Sequence, residues 1–172
     1  MSVSLYDLSI GSYTQIVESM IGVMKKGAEH CEAEGIDLAE VVATRLYPDM
    51  ANFHFQVTSL THHSLGAIEG LKSGSFGPPA YPDCGYSELQ AMTEKTLAEL
   101  RAQKPDEIEA LAGGQVVFRL GDNEIPFTAE NFVLSFSMPN FYFHATTAYD
   151  ILRSKGVPLG KRDFLGAIRV GA

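Results

Sequence analysis

Tryptophan is absent from the chain, cysteine occurs only twice, and Lys and Arg together number 13 against 21 Asp and Glu. Each scarcity excludes something. Cys31 and Cys84 stand far apart and at no metal-ligand spacing, which excludes a disulfide scaffold or a thiolate zinc knuckle and fits a reducing cytoplasm. The shortage of cations leaves a formal net charge of -8. That balance excludes nucleic acid and anionic membrane as partners, because either needs a basic face to displace counterions or meet lipid phosphates. The first residues, MSVSLYDLSIGSY, carry neither the basic start nor the continuous apolar run of a secretory leader. Internal repeats and low-complexity tracts are missing too.

What is present is a chain of 172 residues, 45% hydrophobic, the size of one ordinary globular domain with a real core. A single domain over residues 1–172 is expected. Ile10, Tyr13, Val17, Met20, Met24, Gly27 and Cys31 alternate spacings of three and four, which predicts a helix from Asp7 or Ser9 to Glu34, stopped by Gly35. Asp37 and Glu40 have the spacing of a capping box for a shorter piece, which Pro48 ends. Asp49 is expected to cap the next helix, running to about Lys72 with Met50, Phe53, Val57, Leu60, Ser64, Ala67 and Leu71 inward. Ser73 to Pro82 holds three prolines and two glycines and reads as a loop long enough to cross over along a bundle. Ser87 and Gln90 suggest another capping box, opening a helix to about Gln103. The runs QVVFRL, GDN and EIPF then predict a small β-hairpin of short strands. Thr128 begins the last helix, which Pro139 should kink and Gly156 should stop.

From Asn131 to Tyr149 that last helix carries no Asp, Glu, Lys or Arg. Its length just reaches a bilayer span, but Asn140, His144, Pro139, two Ser and two Thr argue against one. Ser137, Asn140, His144 and Thr147 recur at helical spacing and form one polar stripe on an otherwise aromatic and aliphatic surface. A buried polar group without a partner costs roughly 1–3 kcal/mol. Either neighbouring helices satisfy the stripe or a ligand does. His54, His62 and His63 invite a metal site, but on one straight helix His54 and His63 flank opposite sides and His62 points away. His54, beside the polar edge of Thr58 and Thr61, is the one expected to join groups from another helix.

The run PNFYFHATTAYDILRSKGVPLGKRDFLG, with SLYDLS near the start, RLYPDM at 45–50 and SELQ at 87–90, resembles the bacterial domain-of-unknown-function family numbered nineteen-ninety-three. That family is grouped with the DinB-like metalloenzymes, so the resemblance implies an all-α fold, a four-helix bundle with a crossover connection. The wider DinB-like pattern holds nickel or zinc with one histidine on the second helix and two, four residues apart, on the fourth. Here the later of that pair corresponds to His144 and the earlier falls on Asn140. An amide oxygen is a weak ligand beside imidazole, so a degenerate metal site is expected, with His144 and His54 as ligands if an ion binds at all.

Two functional readings follow from the resemblance and the stripe together. In one, the bundle keeps a structural or small-ligand-binding role, with Asn140 and His144 paired to each other or to Gln56, Thr58 or Thr61. In the other it is a hydrolase or thiol transferase, in which His144 is general base or metal ligand and Asn140 donates to substrate. Tyr149 then supplies an acid and Arg153 an anion contact, with Thr147 on the same stripe. DinB-like bundles commonly pair, so a homodimer is expected, using the hairpin and the Phe and Leu of DFLG.

Overall fold

Three- and four-residue apolar spacing builds the first helix as expected. The computed structural model describes residues 3–170. A π-helical turn, Asp7–Gly11, runs without interruption into α1 (Ser12–Glu34), and Tyr13, Val17, Met20, Met24, Gly27 and Cys31 are all buried. Gly35 ends it at φ 66°, a left-handed conformation that glycine adopts without steric cost. Asp37 caps α2 (Leu38–Ala43) by accepting the Ala39 N–H at 2.9 Å.

The next helix does not begin at Asp49. Residues 47–50 close a turn instead, with the Met50 N–H on the Tyr47 carbonyl, and Asn52 caps α3 (Phe53–Thr61) by accepting the Phe55 N–H at 3.0 Å. A π turn, His62–Gly66, joins α3 to α4 (Ala67–Ser73) as one continuous rod. The expected loop over residues 73–82 contains a short strand, β1 (Ser75–Phe76), anchored by the buried Phe76 ring.

Gly85 precedes α5 (Tyr86–Arg101), and its N–H is taken by the Glu88 carboxylate at 2.6 Å, so the Ser87–Gln90 box is displaced by two residues. The short α6 (Pro105–Glu109) leads to β2 (Gln115–Leu120) and β3 (Asn123–Thr128). These two form the expected antiparallel hairpin, and β1 adds to β2 in parallel, with Ser75 opposite Val117 and Phe76 opposite Phe118. Thr128 caps α7 (Ala129–Asn131), which passes through a third π turn, Phe132–Ser137, into α8 (Met138–Ser154). Pro139, the second residue of α8, follows closely on that turn, so the residue that can donate no N–H falls where π hydrogen bonding gives way to α. After Gly156, α9 (Lys161–Leu165) folds back on α1: Ser19 donates to the Phe164 carbonyl at 2.7 Å and Gln15 to that of Leu165 at 2.9 Å.

The protein is therefore mostly helical with a small three-stranded sheet. α3 packs on both α8 and α5, and α1 packs on α5 and α8, which leaves one apolar core between the long helices. The hairpin is not a loose flap. Phe118 and Phe127 pack on Phe136, with ring centroids 4.7 and 5.6 Å away, and fasten the sheet to the π turn before α8.

The shifted helix start has a testable consequence. Asn52→Ala removes the cap of α3 and should lower stability by about 1 kcal/mol in urea unfolding, whereas Asp49→Ala should stay within about 0.5 kcal/mol of wild type.

Candidate functional site

The π turns at His62–Gly66 and Phe132–Ser137 widen two neighbouring helices where they face each other, and a cavity of about 280 Å³ opens beside them. His62, His63 and Ser59 come to it from the second rod, and Asn140 and His144 from α8. Phe55, Phe76, Phe118 and Phe136 supply most of the wall, and Gly77, Pro78 and Pro79 close one side. No charged side chain lines it.

The hydrogen bonds assign the tautomer of His144. Gln56 Nε2 donates to the Ala51 carbonyl at 3.0 Å, which turns its Oε1 toward α8. His144 Nδ1 lies 2.8 Å from that oxygen, so Nδ1 carries the proton and donates it. Nε2 is then an unprotonated acceptor, and among the described residues it has no partner. His62 is fixed the opposite way, since its Nε2 donates to the Gly77 carbonyl at 2.7 Å. His63 lies between them, with ring centroids 5.5 Å from His62 and 5.9 Å from His144, and its buried Nδ1 has no partner. Burial pushes the His144 pKa down to about 4. Burial, reinforced by the neighbouring His62 and His144, pushes that of His63 down to about 3, and burial lowers His62 against the opposing pull of the Gly77 carbonyl. All three imidazoles are neutral at pH 7.

Of the residues singled out from sequence, the fold brings together Asn140 and His144. Asn140 is half-buried and directs Nδ2 to the Phe136 carbonyl at 2.8 Å, which leaves its Oδ1 free. The others lie elsewhere. His54 stacks on Tyr81 at 4.2 Å, with its Nε2 3.1 Å from Cys84 Sγ. Thr147 donates to the Phe143 carbonyl, Tyr149 packs against Phe164, and Arg153 binds the Val157 carbonyl. The spacing of a straight helix sets His62 and His63 on different sides and favours His54, whereas both His62 and His63 line the cavity. His62 lies on the cavity wall because β1 and the segment after it fold over the ring, which stacks on Phe76 at 4.4 Å and donates from Nε2 to the Gly77 carbonyl.

A three-histidine metal centre does not fit these residues. Asn140 offers only an amide, His54 is engaged with Cys84, and His62 has its Nε2 on a backbone carbonyl, which leaves His63 as the one unengaged imidazole beside His144 among the described residues. Among the described residues no three His, Cys, Asp or Glu side chains are grouped so as to hold an ion.

Because the folded imidazoles sit below the ordinary value of 6.5, the unfolded chain binds protons that the folded chain does not. Stability should be full above pH 6.5 and fall as the pH drops toward 4. His144→Leu should flatten the urea-unfolding slope between about pH 6.5 and 5, above the range where carboxylates titrate. Gln56→Leu leaves the Nδ1–H unpaired, at a cost of about 1–3 kcal/mol, and imidazole nitrogen NMR should then show mixed tautomers of His144 in place of one.

Comparison with known proteins agrees with this architecture. A crystal structure of a DinB family member protein from Shewanella denitrificans superposes with a TM-score of 0.82 over 98% of this chain and 95% of that one, at 24% identity. At that identity the likeness establishes the fold alone. A comparison with curated proteins yields no significant match. The profile of a domain of unknown function, DUF1993, matches residues 5–165, and the chain belongs to that family.

Proposed function

We propose that this protein is a DinB-like four-helix bundle with a crossover connection, whose degenerate metal site has become a small-ligand cavity. The observation that carries this reading is the tautomer of His144, with an unprotonated Nε2 at the wall of a cavity of about 280 Å³ and no protein group bonded to it. The Nδ1 side of the same ring bonds Gln56 and ties α8 to α3, so the residue has a structural role on one edge and a recognition role on the other. Asn140 supports the reading by offering a second free acceptor one turn away.

A second reading, a metal-dependent hydrolase or thiol transferase with nickel or zinc on His144, is favoured by one feature. Metal-ligating imidazoles characteristically donate their other N–H to an oxygen, as Nδ1 does to Gln56. His63 is the one other unengaged imidazole beside His144, and the lack of a third protein ligand among the described residues weighs against this reading.

Ligand-observed NMR against a set of small fragments should give hits that are lost in Ser59→Leu, which fills the cavity; a set without hits overturns the binding reading. Mass-spectrometric metal analysis of chelator-free protein and of His144→Ala should show no stoichiometric metal in either. Near-stoichiometric nickel or zinc, lost in the variant, would establish the second reading instead.

We also propose a homodimer. The Phe164 ring of the DFLG segment packs on Tyr149 of its own chain, which moves the expected surface to Leu134, Tyr142 and Phe143 of the last helix and to Leu120 and Ile125 of the hairpin. Phe143 is 56% exposed beside His144. Sedimentation should give a dimer that Phe143→Glu dissociates, and a wild-type monomer at high concentration overturns the assignment.

A further inference from the structure

The cavity's lining specifies more than size. Two open acceptors stand on its α8 side: His144 Nε2 is unprotonated, and Asn140 Oδ1 is left over once Nδ2 has bonded the Phe136 carbonyl, whereas Ser59 and His63 on the second rod each carry a donor as well. The two acceptors come from the same face of α8, one turn apart. A ligand placed against that face must bring a donor, because pairing acceptor with acceptor leaves both desolvated and unpaired.

Charge is excluded in both directions. No Lys or Arg lines the space to meet a carboxylate or phosphate, and no Asp or Glu lines it to meet an amine. An ion entering would lose its hydration without gaining a counter-charge. The walls are flat rings: His62 stacks on Phe76 at 4.4 Å and 24°, and Phe118 meets Phe136 at 4.7 Å. Phe55 stands edge-on to His144 at 5.7 Å. A wall of packed rings accepts a planar molecule in offset or edge-to-face packing better than a branched aliphatic one. A volume of about 280 Å³ lies just under the usual range for drug-sized ligands, which fits a molecule of one or two rings.

Resting on the ligand-binding reading, we propose that the cavity takes a planar, uncharged aromatic molecule carrying one hydrogen-bond donor, a phenol O–H or an azole or indole N–H, with that donor on His144 Nε2. The two sources share the donor chemistry and differ in ring shape. In this arrangement the ring packs against the wall that Phe76 and Phe136 form together, in edge-to-face contact at 6.2 Å, and Asn140 Oδ1 stands ready for a second donor on a bifunctional ligand. No bond to the ligand is made or broken.

The test is an NMR and calorimetric titration of the full-length protein with phenol, indole, anisole, N-methylindole, benzoate and benzylamine. Phenol or indole should bind and shift the amides of Gly77, Asn140 and His144, with their relative affinity telling the two sources apart. Capping the donor, in anisole or N-methylindole, should weaken binding at least tenfold, and the two charged probes should bind more weakly still. His144→Leu should reduce the capped-to-uncapped ratio to about one. The wild-type ratio alone keeps the proposal falsifiable if that variant is poorly folded. Equal binding of phenol and anisole, or preferred binding of benzoate or benzylamine at the same amides, overturns the ligand class while leaving a binding cavity. Absence of binding by every probe overturns the class, and only the further absence of any hit in the fragment set overturns the cavity reading itself.

Discussion

A chain of two hydroxyls sets the geometry on which the site depends. Tyr13 of α1 donates to Ser137 Oγ at 3.1 Å, and Ser137 donates in turn to the His63 carbonyl at 2.7 Å. Both hydroxyl-bearing side chains are fully buried, and each bond crosses from one long helix to another. Burial raises the Tyr13 pKa far above its ordinary value, so the phenol stays protonated and remains a donor. In a core where an unpaired polar atom costs about 1–3 kcal/mol, only one axial register of three helices satisfies all three groups. That register sets His63 beside His144. Ser137 closes one π turn and His63 lies within another, so the widened turns are pinned to each other and not merely adjacent.

The sheet completes what the helices leave open. Two parallel-paired residues, Ser75 and Phe76, are a small strand, yet Phe76 contacts His62, His63, Phe118, Phe132 and Phe136. It is the ring at which the second rod, the hairpin and the last helix converge. The aromatic packing that holds the hairpin in place is the same packing that walls the cavity, so the stability of the sheet and the shape of the site are one property. Gly70 allows this approach: a Cβ there would meet the Phe76 ring at 3.0 Å.

Much of this was legible in the order of residues. Three- and four-residue spacing located the long helices, and Gly35, Asp37, Thr128 and Gly156 mark the boundaries their chemistry suggests. Hairpin pairing followed from QVVFRL and EIPF around a GDN turn. Asn140 and His144 stand out as a polar stripe in a charge-free run, and Gln56, one of the partners expected for them, bonds His144. Long-range packing is what the order of residues does not carry. The inward stripe Phe53, Val57, Leu60, Ser64, Ala67 and Leu71 is buried as expected, but His62 points away from it and meets the cavity only because Phe76 and Gly77 fold over the ring. Strand β1 was hidden because two residues carry no periodicity, and its reason for pairing lies in Phe118, more than forty residues away. Asp49 and Asn52 are both good caps, and only the turn closed by Tyr47 and Met50 decides between them.

The basicity of His144 bears on which kind of function the site supports. A general base works best when its pKa lies near the operating pH, and enzymes that use histidine hold it there with a neighbouring carboxylate. Here the partner of Nδ1 is a neutral amide, and burial carries the pKa to about 4. Gln56 orients the ring as a carboxylate would, but it adds no negative charge to stabilise an imidazolium. The imidazole is therefore a well-aimed lone pair with little appetite for a proton. Such a group discriminates ligands by whether they bring a donor, and it does so without taking the proton away. Orientation without basicity supports the proposed recognition role more directly than acid–base catalysis at neutral pH.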